Sequence, residues 1–179
     1  MTLESLAKQG REKIYTNLAG IDTAKLKKLR NEAMRRSFVS FDEMKYKLEF
    51  VARIGGMEFV NDASSRTPNA TWYSLDTMEK PVIWIANGDV NDVDFDVVRP
   101  LALRKVRMLI CVGADNTRLH DTFAGSIPAI IDAPNLAVAI DKAFYSGIEN
   151  AVTLFSPACE NGIAVAEQGE EFKACVNEL

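Results

Sequence analysis

The sequence predicts an α/β fold: a doubly wound, mostly parallel sheet with an antiparallel hairpin at one edge, preceded by a helical N-terminal arm. Three observations carry this. Short apolar runs alternate with segments of helical periodicity through the second half of the chain. A Gly-Gly pair joins two alternating stretches just ahead of them. The charge also divides: ten Lys/Arg stand against six Asp/Glu through Lys45, and eleven against nineteen in the remainder. A basic arm and linker over residues 1–45 and an α/β domain over 46–179 are the expected parts.

In the arm, apolar positions recur at helical spacing from Leu3 to Leu18. Gly20 then suits a helix stop, and Asp22-Thr23 suits the cap of a second helix over Ala24 to Arg36. Leu26, Leu29, Ala33 and Phe38 fall on one stripe without interleaved aromatics, the pattern of an amphipathic helix packed on something. Nucleic acid is not the expected partner. The hairpin follows, with alternation in Leu48-Glu49-Phe50-Val51-Ala52 and Met57-Glu58-Phe59-Val60 around Gly55-Gly56, which are free to take positive φ. Strands are expected at Val82 to Ala86, Met108 to Val112, Ala129 to Ile131 and Val152 to Phe155. Helices are expected around Asn69 to Met78, Asp94 to Leu103, Asn116 to Phe123, Leu136 to Tyr145 and Ile163 to Val176. Apolar runs without alternation, separated by helices, imply parallel strands covered on both faces, a Rossmann-like sheet.

At 179 residues, with 47% apolar and 26% charged positions, the chain suits one soluble domain plus an appendage. It holds no apolar run of ~18 residues and its first residues lack the apolar core of a secretory signal, so a cytoplasmic protein with no membrane contact is expected. Cys111, Cys159 and Cys175 form no Cys-x-x-Cys pair, which argues against a disulfide framework or zinc site and for reduced, buried thiols. His120, the single histidine, lies in Asp115-Asn116-Thr117-Arg118-Leu119-His120 and reads as part of a solvated helix face.

Ligands of an open α/β sheet sit beyond the carboxyl ends of its strands. Asn61 to Thr67, Asn87 to Asp94 and Ser156 to Gly162 are the loops that qualify. Asp92-x-Asp94-x-Asp96 imitates the start of a calcium loop, but Val97 stands where glycine is needed and Leu103 where the bidentate glutamate is needed, so no metal site is expected. Cys159 is a candidate nucleophile only on paper. No His or Lys is near in sequence to lower its pKa, and Glu160 would raise it.

The words Asn61-Asp62, Asn69-Ala70-Thr71-Trp72-Tyr73-Ser74-Leu75, Pro81-Val82-Ile83-Trp84-Ile85 and Leu154-Phe155-Ser156-Pro157-Ala158-Cys159 resemble the C-terminal domain of Mur ligases, the D-glutamate-adding group most of all. Arg30 to Phe41 resembles the linker by which that family enters this domain, and Tyr46-Lys47-Leu48-Glu49 stands where the family reads His-Arg-Leu-Glu. The resemblance implies a domain that delivers the incoming amino acid to an acyl phosphate made elsewhere, with cations facing carboxylates. It also implies that two of three ligase domains are lacking. No Gly-x-x-x-x-Gly-Lys-Ser/Thr cradle occurs, so no cofactor is expected, and ATP and magnesium enter only with a separate ATP-binding domain.

By the same resemblance the substrate-binding positions are Asp62, Ser64, Arg66, Thr67, Asn91, Ser156 and Asn161, with no catalytic residue. The ligand-touching words depart from the family's. Its first loop reads Asn-Asp-Ser-Lys-Ala-Thr-Asn, which puts Ser64 at the lysine, Arg66 at the threonine and Thr67 at the last asparagine. Asn91 occupies the lysine of its second loop, where three aspartates now cluster. The third loop runs into Glu160-Asn161-Gly162, and Gln168 takes an arginine's place. The expectation is a standalone, catalytically silent pseudoenzyme that binds a protein or small molecule and forms a homodimer or meets a protein partner through its arm. Two rivals stand. One is a fragment or subunit of a D-glutamate-adding peptidoglycan-precursor ligase, with Arg66 and Lys80 supplying charge. The other is a phosphoanion binder using helix N-termini at Asn69, Asp115 or Asn161.

Overall fold

The computed structural model describes residues 45–88 and 93–179. The two helices expected in the arm, and Asn91, lie outside the described residues. The first element is the hairpin, β1 (Glu49–Ile54) and β2 (Met57–Asn61). Gly55 and Gly56 both take positive φ, 57° and 86°, which is what a two-residue hairpin turn requires. Glu49 pairs with Asn61 and Ile54 with Met57, and a bulge at Val51 bends the edge strand.

Helix α1 (Pro68–Thr77) starts where Thr67 Oγ1 accepts from the Ala70 N–H at 3.2 Å, with Pro68 in its first turn. Strand β3 (Val82–Asn87) and β4 (Val106–Val112) flank α2 (Arg99–Lys105). The sequence placed that helix at Asp94 to Leu103. Asp94 instead accepts the Asp96 N–H at 2.9 Å in a tight turn, and Pro100 sits in the helix's first turn. Then come α3 (Thr117–Phe123), β5 (Ala129–Ala133), α4 (Leu136–Phe144), β6 (Val152–Phe155) and α5 (Val165–Asn177). Helix α5 begins at Val165, so Asn161 is a loop residue and not a helix N-terminus.

Among the described residues the strands form one sheet in the order β1-β2-β6-β3-β4-β5, antiparallel between β1 and β2 and parallel elsewhere. Alternate residues divide the core. Trp84, Leu109, Cys111 and Leu154 face the layer holding Leu75, Leu101, Leu119 and Phe123, and so meet α1, α2 and α3. Ile83, Ile85, Ile110 and Phe155 face the layer of Ala139, Ile140, Phe172 and Val176 on α4 and α5. The Phe155 and Phe172 rings stack at 5.3 Å. No helix of the described residues is long and apolar enough to cross a membrane.

After β5 the chain returns to insert β6 between β2 and β3. The helix that follows β6 covers one face, while those that follow β2 and β3 cover the other. Loops therefore part on either side of β6 and open a crevice at the carboxyl ends of β2, β6 and β3.

Candidate functional site

The crevice floor is tied together by backbone. Asp62 N–H donates to Phe155 O at 2.8 Å, Ser156 N–H to Ile85 O at 3.1 Å, and Asn87 N–H to Pro157 O at 3.1 Å, so the three loops leave the sheet in register. Ala158 takes φ 63°, a left-handed conformation that strains a residue with a Cβ, and its N–H donates to Ser65 O at 3.0 Å. Trp84, fully buried below, donates its ring N–H to Ser156 O at 2.8 Å.

Asp62 is fully buried. Its Oδ1 accepts the Leu48 N–H at 3.2 Å, while Oδ2 is buried without a hydrogen bond of ordinary geometry. Burial pushes its carboxyl above the usual range, and the hydroxyls of Ser74, Ser65 and Ser156 oppose that rise in part. Ser65 Oγ and Ser74 Oγ stand 3.3 Å apart, and Thr71 Oγ1 and Ser156 Oγ 2.7 Å apart. The neighbouring Asn61 is spent on the scaffold: its Nδ2 donates to Glu49 Oε2 at 3.0 Å and to Gly169 O at 3.1 Å.

Arg66 is the single Lys or Arg in the three loops, against Asp62, Asp89, Asp92, Asp94 and Glu160. Its side chain is only 14% exposed and is already engaged. Nη1 pairs with Glu160 at 2.9 Å, and Nη2 donates to Asn161 Oδ1 at 3.0 Å and to the Ile163 carbonyl. The guanidinium thus latches the loop after β2 to the loop after β6. Its Nε, the Nδ2 of Asn161 and the Oγ of Ser64 are buried with no hydrogen-bond partner among the described residues. This wall of the crevice is rich in donors, although its nearest full charge is neutralised.

Of the positions that the sequence singled out, Asp62, Ser64, Arg66, Ser156 and Asn161 thus gather at one crevice, and Asn91 lies outside the described residues. Thr67 stands beside it with its hydroxyl committed to capping α1. Lys80 does not join them. It precedes β3, at the opposite edge of the sheet, and its ammonium pairs with Glu58 at 2.8 Å. Cys159 is buried, with Sγ 3.4 Å from Asn87 O, as expected for a structural thiol. Glu160 as the partner of Arg66, and the hydroxyls around Asp62, were not anticipated. Donors suited to a metal ion lie elsewhere, at Cys111, His120 and Asp132.

The chain is 35% identical over 159 residues to the UDP-N-acetylmuramoylalanine–D-glutamate ligase of Porphyromonas gingivalis, covering 89% of this chain and 35% of that protein. It is 29% identical over 185 residues to the same-named ligase of Christiangramia forsetii, covering 100% of this chain and 41% of that protein. The chain therefore spans well under half the length of these relatives. A crystallised domain from Haemophilus ducreyi, described as part of a UDP-N-acetylmuramate:L-alanyl-γ-D-glutamyl-diaminopimelate ligase, shares the fold with a TM-score of 0.51 at 9% identity, over 72% of this chain and 98% of that domain. No family model matches the chain.

Proposed function

The chain is a relative of the D-glutamate-adding Mur ligases with the fold of a Mur ligase C-terminal domain, and from that premise we propose that it binds a small molecule or protein and does not itself ligate. The observation that carries this reading is the latch. An amino acid entering ligation brings carboxylates, and these need an unpaired cation at the crevice. Arg66 is the loops' single candidate, and Glu160, Asn161 and the Ile163 carbonyl already hold it. The remaining formal charges of the loops are carboxylates, which repel a dicarboxylate.

A second reading has support from the identity to full ligases over 89% of the chain. In it the chain is the amino-acid-delivering part of a D-glutamate-adding ligase in peptidoglycan-precursor synthesis, and ATP and magnesium come with a separate ATP-binding domain. Thermal unfolding of the protein with D-glutamate, ADP-magnesium and the UDP-muramoyl dipeptide separates the two. The binding-module reading predicts an unchanged midpoint with each. Ligand at about a hundred times its dissociation constant adds ~2.7 kcal/mol, roughly 5 °C here, and such a shift with the dipeptide favours the ligase part. A protein partner or second copy docking through residues 1–45 completes the proposal. Light scattering that finds a strict monomer at every concentration removes the second copy.

A further inference from the structure

The chain's single histidine meets one of its three cysteines at the other end of the sheet's carboxyl edge. Parallel pairing sets Cys111 of β4 beside Asp132 of β5, so their side chains share a face. That face is covered by α3, since Cys111 packs in one cluster with Leu119 and Phe123. His120, on the same helix, brings its Nε2 to 2.9 Å from Asp132 Oδ1. Donor atoms of all three residues lie within 4.8 Å of one another. His120 and Asp132 line an open cleft of about 400 Å³ together with Gly113, Asn116 and Thr117. Cys111 is fully buried beneath the other two donors.

We infer that Cys111, His120 and Asp132 bind one divalent transition-metal ion, zinc by the chemistry of the donors, with a fourth position open to the cleft. Sulfur, imidazole nitrogen and carboxylate oxygen are the donors zinc accepts, whereas calcium and magnesium demand oxygen. Metal–donor lengths of about 2.0 to 2.3 Å put neighbouring ligands of a tetrahedral ion about 3.5 Å apart, so a side-chain adjustment of about 1 Å closes the set. Thiolate and carboxylate together balance a dication, and the neutral ring adds no charge. On binding, Nε2 gives up its place against Asp132 and offers its lone pair, the ring proton resting on Nδ1. The thiol proton leaves to solvent through the cleft.

The surroundings support the set. Asn116 Nδ2 donates to Asp132 Oδ1 at 2.8 Å and fixes the carboxylate, as outer partners of metal ligands do. Lys142 binds the Asp132 carbonyl at 2.7 Å, leaving the carboxylate to the ion. A Cys-His-Asp nucleophilic site is the competing use of these residues, and burial argues against it. Cys111 is fully buried, so its sulfur is not presented to a substrate, and burial, with Asp132 adding, disfavours its thiolate. A bound metal reverses that balance by deprotonating the thiol outright.

Cobalt(II) titration of the reduced full chain tests the inference. A thiolate-to-cobalt charge-transfer band in the near ultraviolet, with intense visible bands of four-coordinate cobalt, is expected to saturate at one equivalent and to be bleached by zinc. Cys111→Ser abolishes the band, whereas Cys159→Ser and Cys175→Ser keep it. His120→Gln, a half-exposed helix position that leaves the fold intact, weakens binding on the order of tenfold or more and decides the matter if Cys111→Ser fails to fold. No band at excess cobalt, or a band of full strength in His120→Gln, overturns the inference.

Discussion

Asp62 sits where water does not reach it, and its charge is the less favoured form there. Its folded-state pKa lies above that of an unfolded aspartate because of burial, so ionisation favours the unfolded chain. Stability is fully present below the unfolded value near ~4 and is lost as pH rises through the raised folded value. Asp62→Asn keeps the acceptor for Leu48 N–H and removes the charge. Its urea midpoint is expected to exceed that of the parent at pH 7, with the gain vanishing below about pH 4. A gain independent of pH contradicts the burial argument. Arg66 supplies a second test at this scale. Arg66→Ala strips hydrogen bonds from Asn161 and the Ile163 carbonyl and is expected to cost about 1.5–3 kcal/mol in urea unfolding. Glu160 is 70% exposed, and Glu160→Gln is expected to change stability by less than ~0.5 kcal/mol. Equal losses in the two variants would mean that the latch rests on the ion pair and not on the hydrogen bonds.

Elements that are buried on both faces were the most legible in the sequence. Val152–Phe155 is buried throughout, so its uninterrupted apolar run reads directly as a central parallel strand. The helix expected from Asp94 starts later, at Arg99, because Asp94 closes a tight turn on the Asp96 N–H and Phe95 and Val98 enter the core from irregular backbone. Close approaches were not legible at all. A Cβ on Gly169 would stand 2.3 Å from the buried Tyr46 ring, whose hydroxyl donates to Glu170 at 2.9 Å. Tyr46 is 123 residues away in sequence, and no periodicity in α5 marks the glycine as needed. Gly169→Ala is expected to cost about 1–3 kcal/mol by overpacking, read in urea unfolding. A neutral result there would show that Tyr46 yields without loss.

Topology, at the scale of the whole molecule, decides where chemistry is possible, and that much followed from the order of strands and helices. The return of β6 between β2 and β3 creates the crevice, at the strand ends where the order of strands and helices in the sequence places it. What occupies the crevice depends on pairings across about ninety residues, such as Arg66 with Glu160, which hang on loop conformation at Ala158 and leave no trace in local pattern. The same holds for Cys111, His120 and Asp132, which only the register of β4 with β5 brings together. The sheet and helices of a Mur ligase domain thus surround a crevice whose three loops contain one guanidinium, Arg66, and that side chain is engaged in joining two of the loops. Titration calorimetry of D-glutamate into the full chain tests that claim most directly. No saturable heat is expected at millimolar ligand in the wild type. A saturable heat that disappears in Arg66→Ala would contradict the claim, because the guanidinium would then be free to receive a carboxylate.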